Sequence, residues 1–334
     1  MTKPLLFITA KLIGDAPERL KERFDVRYRD NLHTVARQEL LESARDTEAL
    51  ICYLEDKIDA EFMNACPALK VVANVAVGYD NVDVAEATRR GILVCNTPGV
   101  LTDATADMAL ALLLATARRL VEADRFVRDG QWTQWTVDLM LGWGLNDKTL
   151  GIIGMGRIGE AIAKRARAFG MRIIYTKKRN HPQDERYARE LDAARVEMTE
   201  LLRQSDFISI NCPLNAETRH LIGEKEFAAM KPSCILINTA RGAVIDEKAL
   251  VKALTDRRIA AAGLDVFENE PDVAKELLAM KNVVVAPHIG SATFETRAAM
   301  ANSAASAVLH AFAHELPANA VNKEAWSAAA LSRK

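Results

Sequence analysis

Cysteine pairs, net charge and long apolar runs are what this 334-residue chain has least of. Its five cysteines, Cys52, Cys66, Cys95, Cys212 and Cys234, form an odd set without a C-x-x-C pair, and most lie in apolar stretches. Disulfide frameworks and thiolate zinc sites need paired spacings, so these thiols read as small core residues in a reducing compartment. A cytoplasmic protein with no bound metal is expected. Forty-four Lys and Arg face forty-five Asp and Glu, a formal net charge of -1. No whole-molecule field is available to gather nucleic acid or an anionic membrane, and both are excluded as expected partners. The longest apolar run, 108–117, stops at Arg118 and Arg119, well short of the roughly 20 residues that a membrane helix needs. The opening apolar stretch is too short for a signal sequence and is soon followed by Lys11 and Asp15. What is present is ordinary globular composition, 49% apolar and 27% charged, enough for a real core. The length favours two domains.

Short apolar runs at 5–9, 24–28, 49–53, 71–75 and 92–95 read as strands, and helical spacing predicts helices over 17–23, 35–44, 59–65 and 83–90. Strands joined by helices build a parallel sheet with helices on both faces. After Thr97-Pro98-Gly99, residues 102 to about 128 are rich in Ala and Leu without Gly or Pro, predicting one long helix. At about 1.5 Å per residue it would run nearly 40 Å. A second series predicts strands at 149–153 and near 172–175, 207–211, 234–238, 260–264 and 283–286, with a final helix over 293–314. The fold class is therefore α/β, with two doubly wound parallel-sheet domains. Between the series, 129–146 holds Trp132, Trp135 and Trp143 among Gly and polar residues, a composition that suits a packed segment, such as one against another subunit.

Gly154-Met155-Gly156-Arg157-Ile158-Gly159 is G-x-G-x-x-G, directly after an apolar strand and before a helical run. Gly154 permits the tight turn, Gly156 lets backbone approach a pyrophosphate, and Gly159 lets helix and strand pack closely. The helix N-terminus then presents free N–H groups to the phosphates. An NAD site ordinarily has Asp or Glu at the end of the next strand to take the ribose hydroxyls. Here that position reads Thr176-Lys177-Lys178-Arg179, with no acid. Thr, Lys and Arg suit a 2′-phosphate instead, which favours NADPH over NADH.

Three later strand ends carry polar residues: Asn238-Thr239-Ala240-Arg241-Gly242; Asp265, Glu268 and Glu270 in the run 263–271; and His288 with Ser291 after 285. Ligands of open α/β sheets lie at such ends. Together they offer a guanidinium fork for a carboxylate, a proton donor and a carboxylate to tune it.

These motifs resemble those of the D-2-hydroxyacid dehydrogenase family: G-x-G-R-I-G at 154–159, N-T-A-R-G at 238–242, G-L-D-V-F-E at 263–268, P-H-I-G-S-A-T at 287–293 and V-G-Y-D-N-V-D at 77–83. The likeness covers nearly the whole chain. Within the family it is most similar to the glyoxylate/hydroxypyruvate reductase group, through Trp132-Thr-Gln-Trp135, Gly142-Trp-Gly-Leu and the basic strand end. The resemblance implies a flavodoxin-like substrate domain made of 1–101 with 290–334, a Rossmann nucleotide domain over 102–289, and a homodimer built on the long helix and the tryptophan segment. It implies Arg241, Glu270 and His288 as the catalytic set, with His288 near the domain junction and brought over the substrate by closure. Asp265 would take the nicotinamide amide, with Thr105 and Thr239 near the same ring. Met155, Arg157, Ile158, Cys212, Pro213, Thr218, Ala240, His288 and Ser291 would complete the cofactor contacts. Leu54, Val77, Gly78 and Ser291 would meet the substrate together with Arg241 and His288.

The implied reaction is NADPH-dependent reduction of glyoxylate to glycolate and hydroxypyruvate to D-glycerate. One departure is Leu139, where the reductase group carries a tryptophan; a smaller wall would admit longer 2-keto acids such as 2-ketogluconate. Two alternatives stand beside this reading. An NAD-linked D-2-hydroxyacid or phosphoglycerate dehydrogenase is disfavoured by the missing acid after Tyr175, and a dinucleotide-sensing corepressor-like scaffold is disfavoured by retention of the whole catalytic set.

Overall fold

The computed structural model describes residues 3–29, 36–178 and 183–326. The chain divides into two compact units, Met1–Leu101 with Ala292–Lys334, and Thr102–Ser291.

In the first unit, β1 (Leu5–Ile8), β2 (Asp25–Tyr28), β3 (Ala49–Cys52), β4 (Val71–Asn74) and β5 (Leu93–Cys95) form one sheet in the order β2-β1-β3-β4-β5. Every pairing is parallel, and the order is the flavodoxin-like one. All residues of β3 and β4 are buried, as happens where helices cover both faces of a parallel sheet. Edge strand β2 alternates exposed and half-buried positions. The helix Phe294–Phe312 brings the end of the chain back to this unit. Its small buried residues, among them Ala301, Ala304 and Ala305, permit close packing, and Phe312 meets Phe24 edge-on at 4.9 Å. The next segment is bonded to β5, where Val94 N–H donates to the Asn322 side chain and Val94 C=O accepts from Val321 N–H.

The second unit contains β6 (Thr149–Ile153), β7 (Arg172–Thr176), β8 (Ala193–Arg195), β9 (Phe207–Ile210), β10 (Ile235–Asn238), β11 (Ala261–Leu264) and β12 (Val283–Val285), in the order β12-β11-β10-β9-β6-β7-β8. This is the Rossmann arrangement extended by one strand, and the order reverses between β9 and β6. Strand β8 is absent from the sequence reading because it has three residues, two of them exposed, and no apolar run.

The single helix expected from 102 to about 128 is two helices, Thr102–Ala117 and Leu120–Arg128. Arg119 between them adopts a left-handed conformation, φ 53°. The cause lies in a distant segment. The Ala117 carbonyl accepts from Trp143 N–H at 2.9 Å, and Gly142 fits so closely that a Cβ there would lie 2.3 Å from that oxygen. Helix Thr102–Ala117 is buried along the sheet, whereas Leu120–Arg128 has no buried residue. The segment after it, expected to be packed, exposes Trp135 (75%) and Val137 (80%) in the single chain.

Candidate active site

The glycine turn follows β6 and opens the helix Arg157–Ala168. Each glycine has a separate physical reason. Gly154 has φ +96° and lies against the 211–212 backbone, where a Cβ would come 2.7 Å from Cys212 N. Gly159 packs on the turn itself, 2.4 Å from Gly154 O by the same measure, whereas a Cβ on Gly156 would meet nothing within 4 Å. The one glycine with open space before it is therefore the one at the helix N-cap. Met155 is buried, Ile158 half-buried and Arg157 exposed.

At the end of β7 the basic run is already engaged. Lys177 pairs with Asp184 at 2.5 Å and is only 14% exposed, and its ammonium lies over the rings of Tyr175 and Tyr187. Tyr175 donates its hydroxyl to the same carboxylate. Burial, followed by that bond, raises the Tyr175 phenol well above its usual range. Lys178 is exposed and bonds both oxygens of Glu217. Thr176 holds the turn by accepting at its carbonyl from Gly154 N–H. Arg179 lies outside the described residues. Of the cations expected at the 2′-phosphate, Lys177 is thus already paired, with Asp184 from the helix Gln183–Leu191.

The loop after β9 carries Cys212, Pro213 and Thr218. Thr218 hydroxyl donates to the Pro213 carbonyl at 2.6 Å and accepts from Asn215 N–H. Burial pushes the Cys212 thiol up to about 11, so it stays protonated. After β10, the fully buried Asn238 shapes the next loop. Its Oδ1 accepts from Ala240 N–H at 3.0 Å and its Nδ2 donates to Arg241 C=O at 2.9 Å. Arg241 itself is half-buried and donates to the Ala240 carbonyl.

His288 and Glu270 are joined at 2.7 Å, Nδ1 to Oε2. Burial works against the Glu270 carboxylate, yet the His288 bond and charge, the Phe267 amide and the Arg241 guanidinium outweigh it and hold its pKa below the ordinary value. Glu270 Oε1 accepts from Phe267 N–H at 2.9 Å. His288 has φ 52°, a conformation that a non-glycine residue keeps only when its surroundings impose it. Asp265 imposes it. Its carbonyl accepts from His288 N–H, and its two carboxylate oxygens accept from Ile289 N–H and Gly290 N–H at 2.8 and 2.7 Å. Burial raises the Asp265 carboxyl above its usual range against the pull of those amides. Thr105, buried on the helix Thr102–Ala117, lies beside Gly290. Ser291 follows half-buried.

In the first unit, Val77 C=O accepts from the Asn96 side chain at 2.8 Å and Gly78 C=O from Asn74 at 2.9 Å. Asn81 ties this loop to the turn containing Leu54 by donating to Tyr53 C=O and Asp56 C=O. The structure thus brings Arg241, Glu270, His288 and Asp265 together in one unit and orders Leu54, Val77 and Gly78 in the other. Asn238, Asn74, Asp184 and Gly242 went unremarked as structural supports in the sequence. Only Asn238 and Gly242 lay inside a recognised motif, so only they carried a signal.

The open face at Gly156 suits a pyrophosphate, which only a residue without Cβ lets so close to the backbone. Thr239 Oγ1 and Asn211 Oδ1 are buried without a hydrogen-bond partner among the described residues, as befits atoms awaiting a polar ligand. The residues therefore fit a dinucleotide. No group of three or more His, Cys, Asp or Glu able to hold a metal occurs among the described residues.

Comparison with known proteins agrees with this geometry. Residues 110–290 match the model of the D-isomer specific 2-hydroxyacid dehydrogenase, NAD binding domain. The chain is 51% identical over 326 residues to a glyoxylate reductase of Thermococcus litoralis, covering 96% of this chain and 98% of that protein. Its fold is similar to the crystal structure of a glyoxylate reductase from Paecilomyes thermophila, with 36% identity, TM-score 0.86 and coverage of 97% and 100%. It is also similar to an NADPH-dependent glyoxylate/hydroxypyruvate reductase from Sinorhizobium meliloti in complex with NADP and malonate, with 34% identity, TM-score 0.85 and coverage of 97% and 98%. With a Rossmann turn, a His–Glu pair and an arginine at neighbouring strand ends, and with relatives this similar along its length, the chain belongs to the D-isomer specific 2-hydroxyacid dehydrogenase family.

Proposed function

We propose that this chain reduces small 2-keto acids, glyoxylate to glycolate and hydroxypyruvate to D-glycerate, using NADPH in preference to NADH. The observation that carries the reading is the 2.7 Å His288–Glu270 pair, on a turn fixed by Asp265, with Arg241 close enough to act on the Glu270 charge.

A nicotinamide dinucleotide, when bound, supplies hydride to the carbonyl carbon. His288 delivers the proton to the keto oxygen from Nε2, since Nδ1 is taken by Glu270. Glu270, bonded to Nδ1, fixes the orientation of the ring. Arg241 holds the substrate carboxylate and compensates the developing alkoxide. Gly154 to Gly159, with Met155, Arg157 and Ile158, hold the pyrophosphate, and Thr105, Cys212, Pro213, Thr218, Thr239, Ala240, Asp265 and Ser291 are the further proposed cofactor contacts. Thr176, Lys178 and Arg179 are the proposed 2′-phosphate contacts, with Lys177 in support. Leu54, Val77, Gly78 and Ser291 are the proposed substrate contacts beside Arg241 and His288. The first unit is proposed as the substrate domain and the second as the nucleotide domain.

The engagement of Lys177 by Asp184 and of Lys178 by Glu217 favours a second reading, in which NADH is also accepted. Leu139 in place of a tryptophan leaves longer 2-keto acids as further substrates. We also propose a homodimer formed through the exposed apolar face at 120–143 and a cytoplasmic location, consistent with five free thiols. No helix among the described residues is long and apolar enough to cross a membrane.

A panel of 2-keto acids, run with NADPH and with NADH and followed at the nicotinamide absorbance, tests the proposal. Oxidation of NADPH by glyoxylate or hydroxypyruvate is expected. No oxidation of either cofactor by any 2-keto acid overturns it.

A further inference from the structure

We infer that Glu268 is a positioning residue that sets the placement of Glu270 and Arg241, an inference that rests on the functional reading above. Glu268 precedes Glu270 by two residues, and its side chain is 16% exposed. Its carboxylate faces His220, away from the acid–base pair: Oε1 lies 2.6 Å from His220 Nε2 and 3.2 Å from Arg219 Nη2. Oε2 accepts a longer bond, 3.4 Å, from Glu247 N–H, while Glu268 N–H donates to Glu247 Oε2 at 3.0 Å. One side chain therefore joins three segments.

Each of those segments continues directly into the proposed machinery. Residues 219–220 follow Thr218 in the loop after β9, and His220 N–H also donates to the Ala243 carbonyl. Residues 242–247 follow Arg241. Residues 267–268 lead into Glu270, whose Oε1 takes the Phe267 amide. Gly242 joins the second and third segments without a gap, since a Cβ there would lie 1.8 Å from the Phe267 carbonyl carbon and 2.4 Å from Glu268 N. Backbone so close transmits a shift of either segment to the other. Charge-assisted bonds are stronger than neutral ones, and those of Glu268 to His220 and Arg219 tie this junction together. Misplacing an acid–base group by about 1 Å costs on the order of 100-fold in rate.

The test compares Glu268→Ala, Glu268→Gln, Glu270→Ala and the Glu268→Ala/Glu270→Ala double variant in the full chain. Glu268→Ala is expected to lower kcat by about 10-fold or more with the NADPH KM changed by less than about 3-fold. Glu268→Gln keeps the shape and the bonds to Oε1 but loses the charge, and its kcat is expected to fall between those of Glu268→Ala and wild type. Because Glu268 acts in part through Glu270, the double variant is expected to lose less than the product of the two single losses, a failure of additivity that general destabilisation does not produce. Hydrogen exchange of the Phe267 amide, read by NMR, is expected to accelerate in Glu268→Ala and gives an answer independent of turnover. A native-like Glu268→Ala variant with kcat within twofold of wild type, additive losses in the double variant, or unchanged Phe267 exchange each overturns the inference. A wild-type protein that turns over no 2-keto acid overturns the functional reading instead, and Phe267 exchange then decides the positioning role by itself.

Discussion

Asp184 Oδ1 lies 2.5 Å from Lys177 Nζ and also accepts the Tyr175 hydroxyl at 2.8 Å. The acid that the strand end lacks in sequence returns from the following helix, and it spends itself on the first lysine of the basic run. Lys178 keeps an exposed ammonium, and its partner Glu217 is itself 63% exposed and can yield to a stronger anion. Lys178→Ala is therefore expected to raise the NADPH KM by roughly 5- to 10-fold and the NADH KM by less than about twofold. Lys177→Ala is expected to lower Tm and to change the ratio of the two KM values less. Steady-state kinetics with both cofactors measure this; equal effects of Lys178→Ala on both would contradict the cofactor assignment.

The His288–Glu270 pair makes a second prediction. His288→Ala is expected to lower kcat by about 100-fold or more, with cofactor binding retained in a fluorescence titration. Unchanged turnover rules out the proton-donor role. Glu270→Gln keeps a hydrogen bond to the ring and loses the charge, so its kcat is expected to fall between those of His288→Ala and wild type. The pH dependence of stability has a definite sign. The folded Glu270 pKa lies below its unfolded value of 4.5. Its contribution is complete above pH 4.5 and disappears as pH falls through the lower folded value. The Tm difference between wild type and Glu270→Gln is expected to shrink as pH falls below that value. A difference that grows on acidification would reverse the assignment.

The glycine turn separates binding from folding. A Cβ at Gly156 meets nothing within 4 Å, so Gly156→Ala is expected to leave Tm nearly unchanged while weakening NADPH and NADH binding together. A Cβ at Gly159 would lie 2.4 Å from Gly154 O, so Gly159→Ala is expected to destabilise the unit by about 1–3 kcal/mol as well. Differential scanning fluorimetry with and without cofactor distinguishes the two. A Gly156→Ala variant that binds cofactor normally would show that no pyrophosphate approaches there.

The exposed apolar face makes the fourth prediction. Leu120, Val127, Trp132, Trp135, Val137 and Leu141 are each more than half exposed, a concentration that the surface of a lone chain seldom carries. Light scattering coupled to size exclusion is expected to give a dimer mass, and Val137→Glu with Trp135→Ser is expected to give the monomer. A monomeric wild type refutes the interface.

Much of the fold was legible because it rests on local pattern. Short apolar runs flanked by turns announced eleven of the twelve strands among the described residues, and the G-x-G-x-x-G spacing located the switch-point turn at 154–159. What escaped depends on partners distant in sequence. The break at Arg119 is made by Trp143 N–H reaching the Ala117 carbonyl, and no periodicity within 102–128 records it. Strand β8 is held by β7 and has too few apolar residues to announce itself. The engagement of Lys177 depends on a helix turning Asp184 back over the strand end.

The same division holds at the site. Residue type alone determined which chemistry is available: an imidazole, a carboxylate and a guanidinium after apolar strands, and three glycines where a phosphate needs bare backbone. Tertiary structure decided what each group is bonded to. Asp265 became the clamp on the left-handed turn at His288, Glu270 became the partner of Nδ1, and Glu268, only two residues away, was turned toward His220. The physical reason is that a side chain's type limits the bonds it can make, while its direction is set by backbone contacts such as that of Gly242 with Phe267, which exist only once the strands are assembled.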